Sequence, residues 1–508
     1  MIDWYATYIP NPHAERNPFR GCPPHTEPLP SFEEARPLLP QPEWAGHDSA
    51  IACYWKVWQL AFSHLKQPTP QNGFVSPYND TAFNGNLFLW DSAFILMFCR
   101  YASRAFNFQQ TLDNFYGKQH PDGFICREIR ETDGSDCFKR FDPPATGPEV
   151  LPWAEWEYYL NFGDRQRLAR IFPALLAYHQ WMKHYRTWPD GTYWATGWAC
   201  GMDNQPRLSV HRGVQAPDGP VEWWDHDHMT WVDATFQALL SARILALMAD
   251  ALALDESRAL RDEYHNLLAR VNGSLWDEQT AFYYDRFCDG TRSTVKTIGA
   301  YWALLAGGIP PERFGPFVAH LSNPAEFNRR HRVPTLSADH PDYNPAGGYW
   351  RGSIWSPTNY MLLRGLTSNG LHDLAYEIAA NHHANVVSVY EQTGTLWENY
   401  APDSLARGST SAGEFVGWTG LSPTAILFEY VFGLRPNVPN HRLVWDVRLL
   451  DAFSVRQYPF GGAGLIDLHC AARANQDQKP EIRVASNIPL TVELLWAGGR
   501  ECIPVNGA

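Results

Sequence analysis

The stretch GSIWSPTNYMLLRGL (352–366) joins a loop of glycine, serine and tryptophan to an apolar helix, and helices separated by such loops run from about residue 48 to residue 434. Apolar residues at helical spacing, bounded by Gly, Pro and Asp, predict twelve helices: 48–66, 91–103, 107–118, 151–162, 165–185, 229–252, 256–275, 294–306, 311–321, 354–368, 371–388 and 420–433. Twelve helices taken in pairs suit an all-α (α/α)6 toroid of six hairpins, with long loops gathered at one end. An irregular helical domain fits the same count.

The segments on either side of the helices have different patterns. Residues 1–45 are rich in proline and show little periodicity, which indicates an extended arm on the surface. After FGLRPNVPN (432–440), apolar and polar residues alternate as they do in strands. We therefore predict three parts: the arm over 1–45, a helical catalytic domain over 46–436, and a small β-structured domain over 437–508.

Composition narrows the class of protein. A hydrophobic content of 45% in 508 residues supports a sizeable core, and a net charge of −13 without a long Lys/Arg run argues against nucleic acid as a partner. The sequence shows no signal peptide, and no apolar run reaches the roughly 18 residues of a membrane helix. Nine cysteines without CxxC spacing indicate reduced thiols. These features predict a cytoplasmic protein without a membrane partner, and they leave its oligomeric state open.

Tryptophan is unusually abundant, with 22 residues in a chain that is 14% aromatic. An aromatic core is one explanation. The other is a carbohydrate cleft in which rings stack on the apolar faces of sugars, which is favoured because many of the tryptophans neighbour Asp, Glu or Gly.

A glutamate in LWENYAPD (396–403) has the surroundings that a sugar site needs. Glu398 stands between Trp397 and Asn399, and AGEFVGWTGLSP (412–423) adds Glu414 close to Trp418. Two carboxylates across a cleft are what glycoside hydrolysis requires, because one protonates the leaving oxygen and the other activates water or attacks directly.

Two earlier stretches offer charged groups near aromatic residues. In NGNLFLWDSAFILMF (84–98), Asp91 follows Trp90 at the mouth of an apolar helix and either binds sugar hydroxyls or caps the helix. In QHPDGFICREIR (119–130), Arg127 and Glu128 follow a turn, a weak signal because such pairs usually lie on a solvated face.

The strongest candidate for a general acid lies in YWATGWACGMDNQPR (193–207). Asp203 is flanked there by glycine and tryptophan, with Arg207 close by. Burial against rings would raise the pKa of this carboxyl until it holds a proton near neutral pH, although an ordinary turn aspartate is the alternative. The loop GGYWRGSIWSPTNY (347–360) contributes further candidate sugar ligands: Trp350, Arg351 and Trp355.

The sequence gives little indication of a metal site, a serine nucleophile or a nucleotide-binding loop. The run WWDHDHMTW (223–231) alternates Asp and His, but a single run without a distant partner is more typical of a hydrogen-bonded loop than of a metal site. GxSxG, P-loop and dinucleotide-binding patterns are absent. We therefore predict no metal and no cofactor.

Five motifs, in order, resemble the (α/α)6 glycosidases of the trehalase and glycoside hydrolase family 63 type, particularly trehalase-like bacterial proteins. They are LWDSAF, ATGWACGMDNQPR, GGYWRGSIWSPTNY, LWENYAPD and GEFVGWTGLSP, and the resemblance covers roughly residues 80–434. It implies an inverting hydrolysis with Asp203 as general acid and Glu398 as general base, while Glu414 helps to position the water. It also implies sugar-binding roles for Trp90, Asp91, Arg127 and Arg351, and we add Arg207, Trp350, Trp355 and Trp418 as further candidate ligands.

Two departures from the family pattern affect the expected substrate. The trehalase motif SGWDFS reads ACGMDN (199–204), and the glycine-rich lid is replaced by APDSLARGSTSA (401–412). Trehalose is therefore a poor candidate. The prediction is an exo-acting α-glycosidase for a small α-glucoside or α-mannoside, such as glucosylglycerate, mannosylglycerate or a gluco-disaccharide. A sugar epimerase or lyase on the same scaffold and a non-catalytic sugar-binding protein are the alternatives.

Overall fold

The computed structural model describes residues 7–80, 84–208, 215–216, 219–220, 224–415 and 417–507. All twelve predicted helices have counterparts, and most of their ends differ by a few residues. They are α1 (Asp48–Ser63), α2 (Leu89–Cys99), α3 (Thr111–Gly117), α4 (Leu151–Phe162), α5 (Arg165–Tyr185), α6 (Val232–Leu252), α7 (Glu256–Ser274), α8 (Trp302–Ala306), α9 (Pro311–Ala319), α10 (Ser356–Ser368), α11 (His372–Thr393) and the π-type helix α12 (Ser422–Val431). The helix predicted over 294–306 is α-helical only over Trp302–Ala306, after the 3₁₀ turn Ile298–Tyr301.

Every second helix belongs to a closed ring. Helix α2 packs on α4, α4 on α6, α6 on α8, and α8 on α10. Helix α10 then packs on the 3₁₀ turn Trp418–Leu421 that leads into α12, and this turn packs back on α2. Every residue of α2 and of α12 is buried, as expected for helices that are apolar on all sides. Helix α7, outside the ring, buries only one face.

The ring fixes where the loops meet. Because each ring helix is followed by a return helix, the ring helices run in one direction and their N-terminal ends lie together. The candidate residues precede or begin these helices: Asp91 begins α2, Asp203 precedes α6, Trp350 precedes α10 and Glu398 precedes α12. The fold thus gathers at one end of the ring side chains that are far apart in sequence.

The structure bears on two expectations from the sequence: the absence of a membrane helix and the reduced state of the cysteines. Helix α6 is, by length and apolarity, capable of crossing a membrane, which the sequence analysis did not anticipate, but 83% of that stretch is buried inside the protein. A core helix meets the same criteria. All nine cysteines carry free thiols.

Strands dominate the C-terminal region. They are β1 (Gln41–Trp44), β2 (Leu434–Asn437), β3 (Arg442–Asp446), β4 (Phe453–Phe460), β5 (Gly464–Cys470), β6 (Ile482–Ser486), β7 (Leu490–Trp496) and β8 (Gly499–Val505). One sheet has the order β1-β4-β5-β6, and the other has the order β2-β3-β7-β8, with β3 and β7 parallel. Short two-stranded pairs also connect loops of the helical region.

Strand β1 comes from the segment predicted as an extended arm. It pairs antiparallel with β4, from Gln41 opposite Arg456 to Trp44 opposite Phe453. The same segment contains two four-residue helices, Pro12–Glu15 and Phe32–Ala35. The two ends of the described chain are therefore joined in one sheet.

Candidate active site

A cavity of ≈ 280 Å³ opens at the end of the ring where the candidate residues meet. Six of the residues predicted from the sequence line it: Trp90, Asp91, Arg127, Asp203, Trp350 and Trp418. The remaining lining residues are Asn84, Phe88, Glu128, Phe138, Gly147, Pro148, Trp198, Gly201 and Tyr349.

Asp203 reaches the cavity from the loop before α6. Desolvation by the surrounding protein raises the pKa of its carboxyl to about 6, although the nearby Arg127 guanidinium opposes this rise. Gly201 allows the loop to approach Trp90 closely, because its φ is +75° and a Cβ atom there would lie 3.0 Å from the Trp90 ring. The local sequence therefore fixes a partly desolvated carboxyl beside an aromatic ring.

Glu398 is the second carboxyl, and it is only 4% exposed. One carboxyl oxygen accepts a hydrogen bond from the Tyr349 hydroxyl at 3.4 Å, and the other accepts one from the Ala412 backbone N–H at 3.2 Å. Burial raises the pKa of Glu398 to about 7, against the lowering effect of the Ala412 hydrogen bond. The negative charge of Asp203 contributes to this rise. Glu398 is not itself among the residues that line the cavity, and it is joined to the lining through the Tyr349 hydroxyl.

Asp91 completes a group of three carboxyls. It lies in the first turn of α2, whose N-cap residue is Phe88, so Asp91 is not the cap. Burial raises the pKa of Asp91 well above its usual range, and the charges of Glu398 and Asp203 raise it further. A buried carboxyl whose pKa is raised in this way can retain a proton near neutral pH, as a general acid must.

Tyr349 is a cavity residue that the sequence analysis missed. Its φ is 64°, a left-handed conformation that is strained for a tyrosine, and its hydroxyl reaches Glu398. The side-chain amide of Asn204 holds the peptide groups on both sides of it. Asn204 Nδ2 donates to the Gly348 carbonyl at 3.1 Å, and Asn204 Oδ1 accepts from the Trp350 N–H at 2.8 Å. The tandem glycines before a tyrosine were the available signal of an unusual backbone.

Two predicted sugar ligands lie behind the cavity wall. Trp355 stacks on Trp350 with ring centroids 3.8 Å apart and supports it, and its indole N–H donates to the Tyr349 carbonyl at 3.1 Å. Arg351 Nε donates to the Asn204 carbonyl at 3.0 Å. Neither residue lines the cavity, so both are corrected from sugar ligands to supports of the loops that do.

Two further predicted ligands are elsewhere. Arg207 is 2% exposed, and its guanidinium forms ion pairs with Asp233 and Asp285, at 2.6 Å to each. It joins the acid loop to α6 and does not reach the cavity. Glu414 is exposed, with φ of 54°, and is not part of the cavity lining. The role of Glu414 in positioning the water stays a prediction from the family resemblance.

The residues next to Glu398 in sequence are not its neighbours in space. Arg407 lies over the Trp397 ring at 4.7 Å, and the Asn399 amide donates to the Thr410 carbonyl at 2.9 Å. The ring next to the Glu398 carboxyl is that of Tyr349, while the Trp418 indole N–H donates to the Glu398 backbone carbonyl at 3.2 Å.

No described residue of the Asp/His run, 224–231, lines this cavity. Trp223 lies outside the described residues, and His226 packs against Trp188 and Trp194. Within the part of the chain that the structure describes, no group of three or more His, Cys, Asp or Glu side chains is arranged to hold a metal ion.

The helical ring and its cavity match a known protein family. Residues 85–419 match the family described as "Mannosylglycerate hydrolase MGH1-like glycoside hydrolase domain". These residues include the ring from α2 to the turn before α12 and, apart from Asn84, every residue that lines the cavity.

Individual relatives agree with the family match. The chain is 27% identical to a mannosylglycerate hydrolase of Thermus thermophilus, over 65% of this chain and 91% of that protein. The crystal structure of a GH63 mannosylglycerate hydrolase from Thermus thermophilus in complex with glucose superposes with a TM-score of 0.58 at 20% identity, over 73% and 99% of the two chains. Neutral trehalase Nth1 from Saccharomyces cerevisiae superposes with a TM-score of 0.54 at 16% identity, over 72% and 76%. The predicted resemblance is confirmed.

Proposed function

Because this chain belongs to the mannosylglycerate hydrolase MGH1-like glycoside hydrolase family, and is thus a glycoside hydrolase, we propose that it is an inverting, exo-acting α-glycosidase for a small α-glucoside or α-mannoside. The observation that carries the proposal is the pair Asp203 and Glu398, which come from loops far apart in sequence: Asp203 lines the cavity, and Glu398 is hydrogen-bonded to the cavity residue Tyr349. We also propose that the closed helical ring is the inner layer of an (α/α)6 toroid.

Asp203 is the proposed general acid. A carboxyl with a pKa of about 6 still carries a proton in part of the population near neutral pH. It can deliver this proton to the glycosidic oxygen as the bond to the sugar breaks, so that the aglycone leaves as a neutral alcohol.

Glu398 is the proposed general base. Its ionised form would take a proton from a water molecule that attacks the anomeric carbon from the face opposite Asp203. Tyr349 supports this role, because its hydroxyl can donate to the carboxylate and hold it in place. An inverting pair requires a separation of about 6.5–9.5 Å between the carboxyl groups, and we expect that spacing here.

The cavity wall supports binding of one sugar unit. Asp91 supplies acceptors for sugar hydroxyls, and Trp90 and Trp350 supply ring surface. A cavity of ≈ 280 Å³ suits a small glycoside more than an extended chain, which supports exo action.

The alternative of an epimerase or lyase would use Tyr349 as the proton-transfer group. Burial raises the pKa of Tyr349 well above its usual range, and the charges of Asp203 and Glu398 raise it further. The phenol therefore keeps its proton at neutral pH and cannot act as a base. Two carboxyls with pKa values near neutrality favour hydrolysis.

Substitution of each carboxyl tests the roles. Asp203→Asn removes acid assistance, so we expect a loss of roughly 10²–10⁴-fold on alkyl α-glycosides and a much smaller loss on aryl or fluoride glycosides, whose leaving groups need little protonation. Glu398→Gln should be impaired on all of them, because nothing then activates the water. Sugar release is measured with Asp289→Asn, an exposed loop carboxylate, as control. Equal losses on good and poor leaving groups in both variants would refute the assignment.

A further inference from the structure

We propose that the leaving-group side of the cavity is built for an uncharged aglycone, such as a second sugar ring or a polyol, and that Glu128 excludes aglycones that carry a carboxylate. This inference rests on the proposed function and specifies the substrate class of the same site.

The leaving-group side can be located from the position of Asp203. Arg127 donates to the carbonyl of Trp198, in the loop that carries Asp203, and Arg127, Glu128 and Asp203 line the cavity together. The Glu398 carboxyl instead contacts Tyr349 and Ala412. Asp203 therefore shares its side of the cavity with the Arg127–Glu128 pair, while the proposed base is held by Tyr349 and Ala412. Because the acid stands on the side of the departing oxygen, the aglycone lies toward Arg127 and Glu128.

Aromatic rings form the wall of this side. Phe138 and Trp198 both line the cavity, with ring centroids 5.7 Å apart in an edge-to-face arrangement. Trp224 packs on both of them, at 5.9 Å from Phe138 and 5.8 Å from Trp198. Aromatic side chains that line a cavity can pack against the C–H groups of a pyranose or the carbon chain of a polyol.

Arg127 is already engaged by the protein. It is the only Lys or Arg among the cavity-lining residues that the structure describes. Its guanidinium donates to Glu128 at 3.2 Å and to the Trp198 carbonyl at 3.4 Å, and it lies 4.9 Å from the Phe138 ring centre. Its charge is therefore neutralised by a neighbouring carboxylate and not free for an anionic ligand.

Glu128 places a negative charge on the leaving-group side of the cavity. It is 7% exposed, and Asn86 Nδ2 donates to its other carboxyl oxygen at 2.7 Å, which fixes it beside the cavity. A carboxylate aglycone would meet Glu128 and Asp203, and it could bind Arg127 only by separating a largely buried ion pair. A hydroxyl group can instead donate to Glu128 with no such cost. The proposed preference for an uncharged aglycone differs from the name of the Thermus thermophilus relative, which indicates the anionic aglycone glycerate.

Pairs of glycosides that differ only in the charge of the aglycone test this inference. α-Glucosylglycerol and α-glucosylglycerate, together with the corresponding mannosides, differ only in a CH₂OH group against a carboxylate. We expect kcat/KM for the neutral member to exceed that for the anionic member by at least about tenfold, the size of a like-charge penalty in a partly desolvated site. Glu128→Gln should bring the ratio toward one, mainly by lowering KM for the anionic glycoside. Glu131→Gln, which changes a carboxylate paired with Lys66 outside the cavity, should leave the ratio unchanged.

Calorimetric measurement of glycoside binding to the Asp203→Asn variant distinguishes a failure of this inference from a failure of the proposed function. If this variant binds the neutral glycoside more tightly while the wild type hydrolyses neither, the hydrolase assignment to these substrates fails and the inference holds. Equal or tighter binding of the anionic glycoside, binding of neither, or a ratio that Glu128→Gln does not move would each overturn the inference. Should Glu128→Gln fail to fold, the wild-type ratio alone decides.

Discussion

At the residue scale, the two proposed catalytic carboxyls differ in how firmly they hold a proton. The pKa is about 6 for Asp203 and about 7 for Glu398. In the protein without substrate the proposed base therefore has the higher pKa of the two. The productive form has the proton on Asp203. Substrate binding must move the proton, or catalysis proceeds through the minor form.

This pair predicts a narrow pH optimum. Below about pH 6 both carboxyls are protonated and no base is available, while above about pH 7 both are ionised and no acid is available. We expect kcat/KM to follow a bell with its maximum between these values, and the pair titrates as a unit. Initial rates measured from acid to alkaline pH give the profile. A plateau that continues far into the alkaline range would show that no carboxyl supplies the proton.

Sequence reasoning found the site residues that carry a local signal. Asp91, Asp203 and Glu398 each adjoin a tryptophan or a glycine-rich turn, and Asp203 and Glu398 also match the family motifs. Arg207 stands only four residues from Asp203, yet it is a buried partner of two aspartates that are distant in sequence. Whether a charged side chain faces a cavity or an ion pair depends on tertiary contacts that motif spacing does not contain.

At the element scale, the loops before α6, α10 and α12 act as one assembly. Asn204 follows the proposed acid and binds the peptide groups on both sides of Tyr349, which in turn binds Glu398. The strained φ of Tyr349 is thus held by contacts outside its own loop. The Asn204 side chain therefore links the loop that carries the proposed acid to the tyrosine that contacts the proposed base.

Asn204→Ala should release this assembly. We expect kcat to fall by about tenfold or more with a smaller change in KM, because the Tyr349–Glu398 contact serves the water and not the bound sugar. The free energy of unfolding should fall by only about 1–3 kcal/mol. Steady-state kinetics and a melting curve measure both, and Asn204→Asp, which keeps the acceptor for the Trp350 N–H, should recover part of kcat. Unchanged kcat in the alanine variant would leave Asn204 with a purely structural role.

The helices were predictable from the sequence because they are long and apolar, with Gly, Pro and Asp at their ends. The strands were harder to predict from the sequence. Strand β4 contains a bulge between Val455 and Tyr458, which breaks its alternation. Strand β1 is four residues long and contains a proline, and it pairs with β4 from the opposite end of the described chain. Non-local pairing of a short strand leaves no periodic signal.

At the scale of the whole molecule, the β region supports the ring and does not enter the cavity. Phe453 of β4 stacks on Phe432, just after α12, with ring centroids 4.4 Å apart. Tyr458 of the same strand packs against Tyr101 and Phe428 of the helical region. No described residue of the β region lines the cavity. The strands cover apolar surface that the helices leave at their ends.

Phe453→Ala should therefore cost stability without changing the chemistry. We expect the free energy of unfolding to fall by about 3–5 kcal/mol, the usual cost of removing a buried phenylalanine ring, while kcat at room temperature stays within about twofold of the wild type. Removal of residues 437–508 should have the same effect in stronger form, with aggregation or a lowered melting temperature. A truncated chain that stays soluble and folded but has no turnover would show that the β region shapes the site.

The central claim is that Asp203 and Glu398 carry out a single displacement with inversion. Proton NMR during the first minutes of hydrolysis of a small α-glucoside or α-mannoside tests it most directly, because the α and β anomers of the released sugar have distinct anomeric signals before mutarotation. We expect the β anomer to appear first and then to decay toward the equilibrium mixture. Release of the α anomer first would contradict it.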